Sequence, residues 1–325
     1  MAFSNTYNIT NPGSGVSNRE DLTDILTILA PEETPVLSMA NKSKATATFN
    51  EWTVDVLATP SSTGIQEGTD ISSYTDKFAG RARLGNYVQL FRRDYMVSQL
   101  QQAVESVGPA RIAEAEAKAI REIKRDIEKT LCGTQDRSVE DGSTTRYQAR
   151  GLGLWLTNTP GSDVPSNFRT PTASINASGT TLTENVFNSL VASIFTQTGT
   201  VDALTLVAGT TLRRTVSGFA RSDNNSNENV YHVNQFATDK EITLAVNTYD
   251  SDFGIITVIN GNPVCMPSAS YGFLLNPNYV GVAELMSLGS TRVPNQGGGE
   301  RGYVDAALTL QVHNPLAHGL IQAVA

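Results

Sequence analysis

The stretch Pro109–Leu131 (PARIAEAEAKAIREIKRDIEKTL) is the longest uninterrupted helical pattern in the chain, and it constrains everything around it. Pro109 suits the first helical position, and Gly133 stands just past the end, where a left-handed stop is expected. No glycine or proline interrupts the run between them. At 100° per residue Ile112, Ala119, Ile120, Ile123, Ile127 and Leu131 fall on one stripe, with Arg121, Lys124, Arg125, Glu128 and Lys129 mostly on the other side. Glu114–Lys118, Lys118–Glu122 and Lys124–Glu128 are spaced to pair along that exposed face, each worth roughly 0.2–0.5 kcal/mol. Burying five large aliphatics at about 1.5–3 kcal/mol each outweighs those pairs. The helix therefore depends on what its stripe packs against. Glu116 falls within the stripe and needs a buried partner there, unless the stripe is narrow.

A chain of 325 residues at 39% hydrophobic can form one large or two ordinary domains around a real core. No apolar run is long enough to span a membrane, and the first residues (MAFSNTYNITNPGSG) lack a basic and apolar leader. Nothing points to secretion. Cys132 and Cys265 lie far apart without metal-ligand spacing and read as reduced thiols of a cytosolic protein. The net charge of −8 argues against tight non-specific grip on nucleic acid, which needs clustered cations. It remains compatible with a protein that lives beside nucleic acid without gripping it.

In chain order, residues 1–17 are a polar arm, and Ser17 to Glu20 fit a capping box for a short helix through Leu22, Ile25, Leu26 and Leu29. Val36, Leu37 and Met39 form a second small apolar handle after Pro35. Such an arm has little core of its own and must dock elsewhere, inside the subunit or outside it. Trp52, Val54 and Val56 alternate with polar residues as a half-buried strand. Thr59 to Ser73 (TPSSTGIQEGTDISS) is turn chemistry without periodicity, and a return strand runs through Phe78, Leu84, Tyr87, Val88, Leu90 and Phe91. A two-stranded excursion of this kind is marginal alone and needs another surface. The return strand carries Arg81, Arg83, Arg92 and Arg93, while Glu67, Asp70 and Asp76 lie near the tip, so acids of one copy could meet bases of another. Exposed pairs are weak singly, at about 0–1 kcal/mol, and count only by repetition.

Val97, Leu100, Val104 and Val107 mark a short helix before the long one, and a polar connector follows Gly133 as far as Gly151–Asn158. From residue 180 the texture is α/β. Thr183 caps a helix with Val186, Phe187, Leu190, Val191, Ile194 and Phe195 on one face. Leu204–Val207 reads as a strand, Leu212 to Phe219 as a helix, and Ser222–Asn229 as a solvated loop. Strands are expected at Val230–Phe236, Ile242–Val246, Ile255–Ile259, Pro263–Met266, Tyr271–Leu275, Tyr279–Leu285 and Tyr303–Val312, with a tight turn at Asn260-Gly261.

Chemistry is sparse. His232, His313 and His318 are too few and too badly spaced for a metal or acid–base site. Asp252-Phe253-Gly254 lacks the partners of a kinase motif, and Asp250-Ser251-Asp252 lacks the other ligands of a calcium loop, so both read as turns. Gly151-x-Gly153 has neither the third glycine nor the following helix of a dinucleotide fingerprint. No catalytic residue, cofactor cradle or metal site is assigned.

Five stretches stand out: Phe49-Asn-Glu51-Trp52-Thr-Val-Asp55, Glu67-Gly68-Thr-Asp70, Arg83-Leu-Gly-Asn86-Tyr-Val-Gln89 continuing to Val97-Ser98, Arg121 to Leu131, and Gly151 to Asn158. With the order of arm, long hairpin, long helix and α/β domain, they resemble a tailed-bacteriophage major capsid protein family. The resemblance covers most of the chain and is densest from 49 to 158. It implies an α+β HK97-like capsid fold: N-terminal arm 1–45, extended β-hairpin loop 46–95, and a peripheral domain 96–159 with its spine helix at 109–131. An α/β axial domain at 160–269 and returning peripheral strands at 270–325 complete it. Some relatives begin with a scaffolding region that is later cleaved; this sequence begins at the arm, which implies a separate scaffold or a mature product. Some relatives also join a loop lysine to an asparagine, for which Lys77 with Asn276 or Asn278 would be the candidates.

The function implied is a self-assembling virion shell built from hexamers and pentamers and enclosing double-stranded DNA, assembled in the host cytoplasm. Its partners would be a scaffold, a portal and decoration proteins, with packaged DNA contacted weakly and no membrane. Trp52, Glu67, Asp70, Lys77, Arg81, Arg83, Arg92 and Arg93 are the candidate intersubunit contacts. An encapsulin-like cargo compartment and an α/β enzyme with an unrecognised site are the alternative readings.

Overall fold

The computed structural model describes residues 33–104, 111–201, 203–219, 247–295 and 297–322. The expected helix at Leu22–Leu29, the loop at 222–229, the strands at 230–236 and 242–246, and the positions Val107, Pro109 and His232 lie outside them. The chain runs through a five-residue helix α1 (Pro35–Met39), strands β1 (Asn41–Lys44), β2 (Phe49–Val54), β3 (Ala82–Tyr87) and β4 (Gln89–Ser98), then α2 (Gln99–Ala103) and the long α3 (Ile112–Cys132). Next come α4 (Leu152–Trp155), β5 (Ile175–Asn176), α5 (Glu184–Thr198), β6 (Thr205–Ala208), α6 (Thr210–Phe219), β7 (Thr248–Ser251) and β8 (Gly254–Asn260). Strands β9 (Gly272–Leu275), β10 (Val280–Val293), β11 (Gly299–Val312) and β12 (Gly319–Ile321) follow.

Three sheets result: β1-β10-β11-β4 under α3, β5-β12-β9-β6-β8-β7 carrying α5 and α6, and the two-stranded ribbon β2-β3. Because β9 and β12 are strands of the six-stranded sheet, the expected boundary at 269/270 cuts through that sheet. The single residue Val88 separates β3 from β4. Its side chain is buried with Ala45, Ala283 and Ala307, and its N–H donates to the Thr48 carbonyl at 2.8 Å. There the chain leaves the ribbon and enters the four-stranded sheet. The expected return strand is thus two strands of different sheets.

Helix α3 buries Ala119, Ile123, Ile127 and Leu131, as the periodicity requires, with Ile112 and Ile120 half-buried. Two expectations about it fail. Gly133 is extended (φ −66°, ψ 168°), not left-handed. Gln135 folds back instead, its Nε2 donating to the carbonyls of Thr130 (2.7 Å) and Ala149 (3.2 Å), so a side-chain amide serves the helix end. Glu128 is not on the exposed face: it is 1% exposed, and its two carboxylate oxygens accept the N–H groups of Val36 and Leu37 at 2.9 Å each. Those are first-turn amides of α1, which have no partner within their own helix. Burial pushes the Glu128 carboxyl above its ordinary range against the pull of these two bonds. The wheel missed it because α1 covers a second side of α3, so the buried face turns along the helix. Glu116 does find a partner, Arg292, at 3.4 Å.

The described end of the arm therefore docks within its own subunit. Val36 is fully buried against α3, and β1 adds in parallel to β10, Asn41 opposite Gly281 through Lys44 opposite Glu284. Pro263–Met266 is a turn, not a strand. The Asn262 carbonyl accepts from the N–H groups of Cys265 and Met266, and its Oδ1 accepts from Val264, so local bonds replace a ladder.

In the six-stranded sheet's layer, Thr183 caps α5 through the Val186 N–H (3.3 Å), and Gly199 ends it in the left-handed region (φ 74°). Phe187, Leu190, Val191 and Ile194 are buried against Leu206, Ile256 and Leu274. Asp252-Phe253 is the turn between β7 and β8. His318 is fully buried, its Nδ1 accepting the Asn276 N–H at 3.1 Å, and burial drives it down to about 3, which keeps it neutral. Replacing Glu128 by Ala leaves two buried amides without acceptors, at about 1–3 kcal/mol each. We expect Glu128→Ala to lower the melting temperature and expose residues 33–45 to limited proteolysis; unchanged melting and cleavage would contradict the docking.

Candidate functional site

The ribbon strands pair antiparallel from Phe49 opposite Tyr87 to Val54 opposite Ala82. Beyond that pair, residues 55–81 contain neither helix nor strand. The ladder is shorter than expected, and Val56 and Phe78 lie outside it. Connections this long without secondary structure are uncommon in compact domains and are usually functional. Their backbone bonds are local, such as Thr69 N–H to the Gln66 carbonyl and Arg81 N–H to the Phe78 carbonyl. Leu57 is 98% exposed, Ile65 89% and Tyr74 88%, with Ile71 also bare and Phe78 exposed beside Arg81. A segment that exposes this much apolar surface while covering so little of it is suited to meet something else.

The root of the ribbon is the opposite case. Asn86 is fully buried and uses both ends of its amide. Its Nδ2 donates to the carbonyls of Arg150 (3.1 Å) and Leu310 (3.0 Å), while Oδ1 accepts from the N–H groups of Arg150 (2.9 Å) and Tyr87 (3.1 Å). One side chain thus ties β3, the segment before α4, and β11. Arg150, 1% exposed, lies over the Trp155 ring at 4.9 Å. It donates to Asp136 at 2.7 Å and to both oxygens of Asp163 at 3.1 and 2.8 Å. Arg137 pairs with Asp163 at 3.2 Å, donates to the Gly85 carbonyl, and sits over Phe49 at 5.1 Å and Tyr87 at 5.8 Å. Gly85 is required there, since a Cβ would come within 2.6 Å of the Phe49 ring. Burial pushes the Asp163 carboxyl up, but the bonds and charge of Arg150 and the charge of Arg137 outweigh it and hold the group below its usual range.

The predicted contact residues separate into two groups. Trp52 is half-buried at the root, 5.8 Å from both Trp155 and His313. Arg81 pairs across the ribbon with Asp55 at 2.8 Å and covers the Phe78 ring. Arg92 and Arg93 are not on the excursion: they sit on β4, Arg92 beside Asp305 (3.6 Å) and Tyr303, Arg93 bound to Asp126 of α3 through two bonds of 2.6 and 2.8 Å. Glu67, Asp70 and Lys77 are exposed on 55–81, and Arg83 is exposed on β3. Asn276 is buried, and its Oδ1 caps the Asn278 N–H. Sequence reasoning missed Arg137, Arg150, Asp136 and Asp163 altogether. Asn86 falls within the motif Arg83–Gln89, but nothing in the sequence marks its role; the neighbouring glycine is the local sign of tight packing.

Among the described residues, no group of three His, Cys, Asp or Glu side chains is placed to hold a metal ion, and no helix is long and apolar enough to cross a membrane. Gly151 is the N-cap residue of the one-turn α4 and Gly153 lies within it, and the role of both is close packing: a Cβ on either would meet the Gly133 carbonyl oxygen, at 2.2 and 2.9 Å.

A family model described as SU10 major capsid protein matches residues 3–325. A search of curated proteins finds no match. Among solved structures, the chain is similar to the capsid asymmetric unit of cyanophage A-1(L), with a TM-score of 0.67 and 16% identity over 94% of this chain and 97% of that one. It is also similar to the capsid of a native GTA particle, with a TM-score of 0.65 and 13% identity over 100% of both chains. The capsid of cyanophage P-SCSP1u gives a TM-score of 0.62 and 10% identity over 98% and 96%. At these identities the structures establish the fold, the α+β HK97-like fold of phage capsids.

The root predicts an acid response. A carboxyl held below its ordinary value stabilises the fold above about pH 3.9, and that stability is lost as pH falls from there through the lowered value. The chain's two tryptophans, Trp52 and Trp155, both flank the root, so intrinsic fluorescence reads it directly. Asp163→Asn should cost about 1.5–3 kcal/mol, the range for hydrogen bonds to charged groups. It should also flatten the acid limb of the fluorescence titration; an unchanged limb would contradict the assignment.

Proposed function

We propose that this chain, which belongs to the SU10 major capsid protein family, closes its shell by laying the 55–81 segment of each subunit across a neighbour. The chain is a structural capsid protein of the virion, with an oligomeric shell as its working state. The observation that carries the proposal is the contrast within one ribbon: a root held by the buried Asn86 amide with all four of its hydrogen bonds made, and an outer segment that leaves Leu57, Ile65, Ile71 and Tyr74 uncovered.

On this reading Glu67, Asp70, Lys77 and Arg83 face neighbouring copies, whereas Trp52, Arg81, Arg92 and Arg93 fix the direction from which the ribbon leaves. Each contact is modest. A closed point-group shell multiplies it, since every copy both gives and receives a ribbon. Residues 1–32 would extend such contacts from the docked segment 33–45. Assembly would proceed in the host cytoplasm through hexamers and pentamers, with a separate scaffold, a portal and decoration proteins as partners. The subunit's part is binding and enclosure, with no chemical step.

Deleting Thr59–Ser73 removes exposed segment and leaves the root intact. The expected product melts within a few degrees of the parent but forms no shells by electron microscopy. Particles of ordinary size from this deletion would overturn the proposal.

A further inference from the structure

The charges of α3 are nearly balanced in sequence and sorted in space. From Arg111 to Lys129 the cations are Arg111, Lys118, Arg121, Lys124, Arg125 and Lys129, and the acids Glu114, Glu116, Glu122, Asp126 and Glu128. Three of the acids are drawn away from the outer face: Glu128 is buried under α1, Asp126 is held by Arg93, and Glu116 by Arg292. The cations are exposed, apart from half-buried Arg125. Arg111, Lys118, Arg121, Arg125 and Lys129 recur at the three-, four- and seven-residue intervals that align side chains on one face. With Glu114 and Glu122 between them they leave a net positive ridge on a chain whose net charge is −8. At about 1.5 Å per residue the ridge is straight for about 27 Å.

We propose that this ridge is the chain's contact for the phosphate backbone of double-stranded DNA, an inference that rests on the shell reading because enclosure sets nucleic acid beside the subunit. About 27 Å corresponds to roughly eight base pairs at about 3.4 Å each along one strand. The ridge presents charge and no large apolar side chain. Phosphate recognition requires only the charge, whereas a protein partner would be expected to find an apolar anchor. Two interleaved carboxylates and the acidic remainder of the chain keep the contact weak, so DNA is lined up along the helix without being captured.

The test measures binding of a random-sequence 30-base-pair duplex to the full-length, unassembled chain by fluorescence anisotropy, across a potassium chloride series. Each cation neutralising a phosphate contributes about 0.9 to the slope of log K against log salt. The triple variant Arg111→Gln/Lys118→Gln/Lys129→Gln, three exposed members of the ridge, should therefore lose about 2–3 units of slope at unchanged melting temperature. The variant Lys42→Gln/Lys44→Gln/Lys77→Gln should keep the parent slope. Equal slopes for the parent and the α3 variant would overturn the proposal. So would a parent with no salt-dependent binding, or oligoglutamate binding as tightly as the duplex, the mark of a face for acidic peptides. Shell formation by each variant is scored separately by electron microscopy, so failure of the ridge and failure of the shell reading are told apart.

Discussion

Asn86 sits where three pieces of chain must agree, and its amide bonds to all of them. A buried amide left half-satisfied costs about as much as a hydrogen bond is worth, so all of its bonds must form together or the ribbon strand cannot seat against β11. Arg150, bound through its backbone to Asn86 and through its guanidinium to Asp136 and Asp163, extends that demand to the segment before α4. Arg137 extends it to the two aromatic rings of the ribbon. The result is a direction imposed on the ribbon by polar geometry, which apolar packing alone would leave adjustable.

The same device recurs at the arm. Glu128 accepts two amides of α1 inside the core, so both appendages join the body through a buried polar side chain of the body or of the ribbon itself. Beyond these joints the chemistry changes abruptly. The hydrogen bonds of residues 55–81 are few and local, and Leu57, Ile65 and Tyr74 are left uncovered. On the proposed reading, stability of the subunit and affinity between subunits fall to different residues, so that the monomer would fold without being committed to any one neighbour.

Much of this was legible in the sequence, for reasons particular residues make plain. The stripe Ala119, Ile123, Ile127, Leu131 and the α5 face Phe187, Leu190, Val191, Ile194 are periodic, and periodicity survives any tertiary context. The uncovered ribbon was legible because Thr59–Ser73 has no pattern that could bury it. What escaped was long-range. Glu128 meets Val36 across 92 residues and Asn86 meets Leu310 across 224, and a polar residue bound for the core carries no local mark of its destination. Strand exchange at Val88 escaped for a similar reason: the apolar alternation continues through it, so Arg92 and Arg93 read as ribbon residues although they belong to β4. Gly133 misled because a glycine after a helix usually supplies a left-handed stop, a task done here by the Gln135 side chain.

The account reduces to one claim, that the root is complete within the subunit and the outer ribbon is completed only by another copy. Hydrogen–deuterium exchange of the dilute subunit and of assembled shells tests it residue by residue. Amides of 84–87 should be protected in both states, while those of 57–78 should exchange freely in the subunit and slow on assembly. Protection of 57–78 in the dilute monomer, or free exchange of the same amides in intact shells, would contradict it.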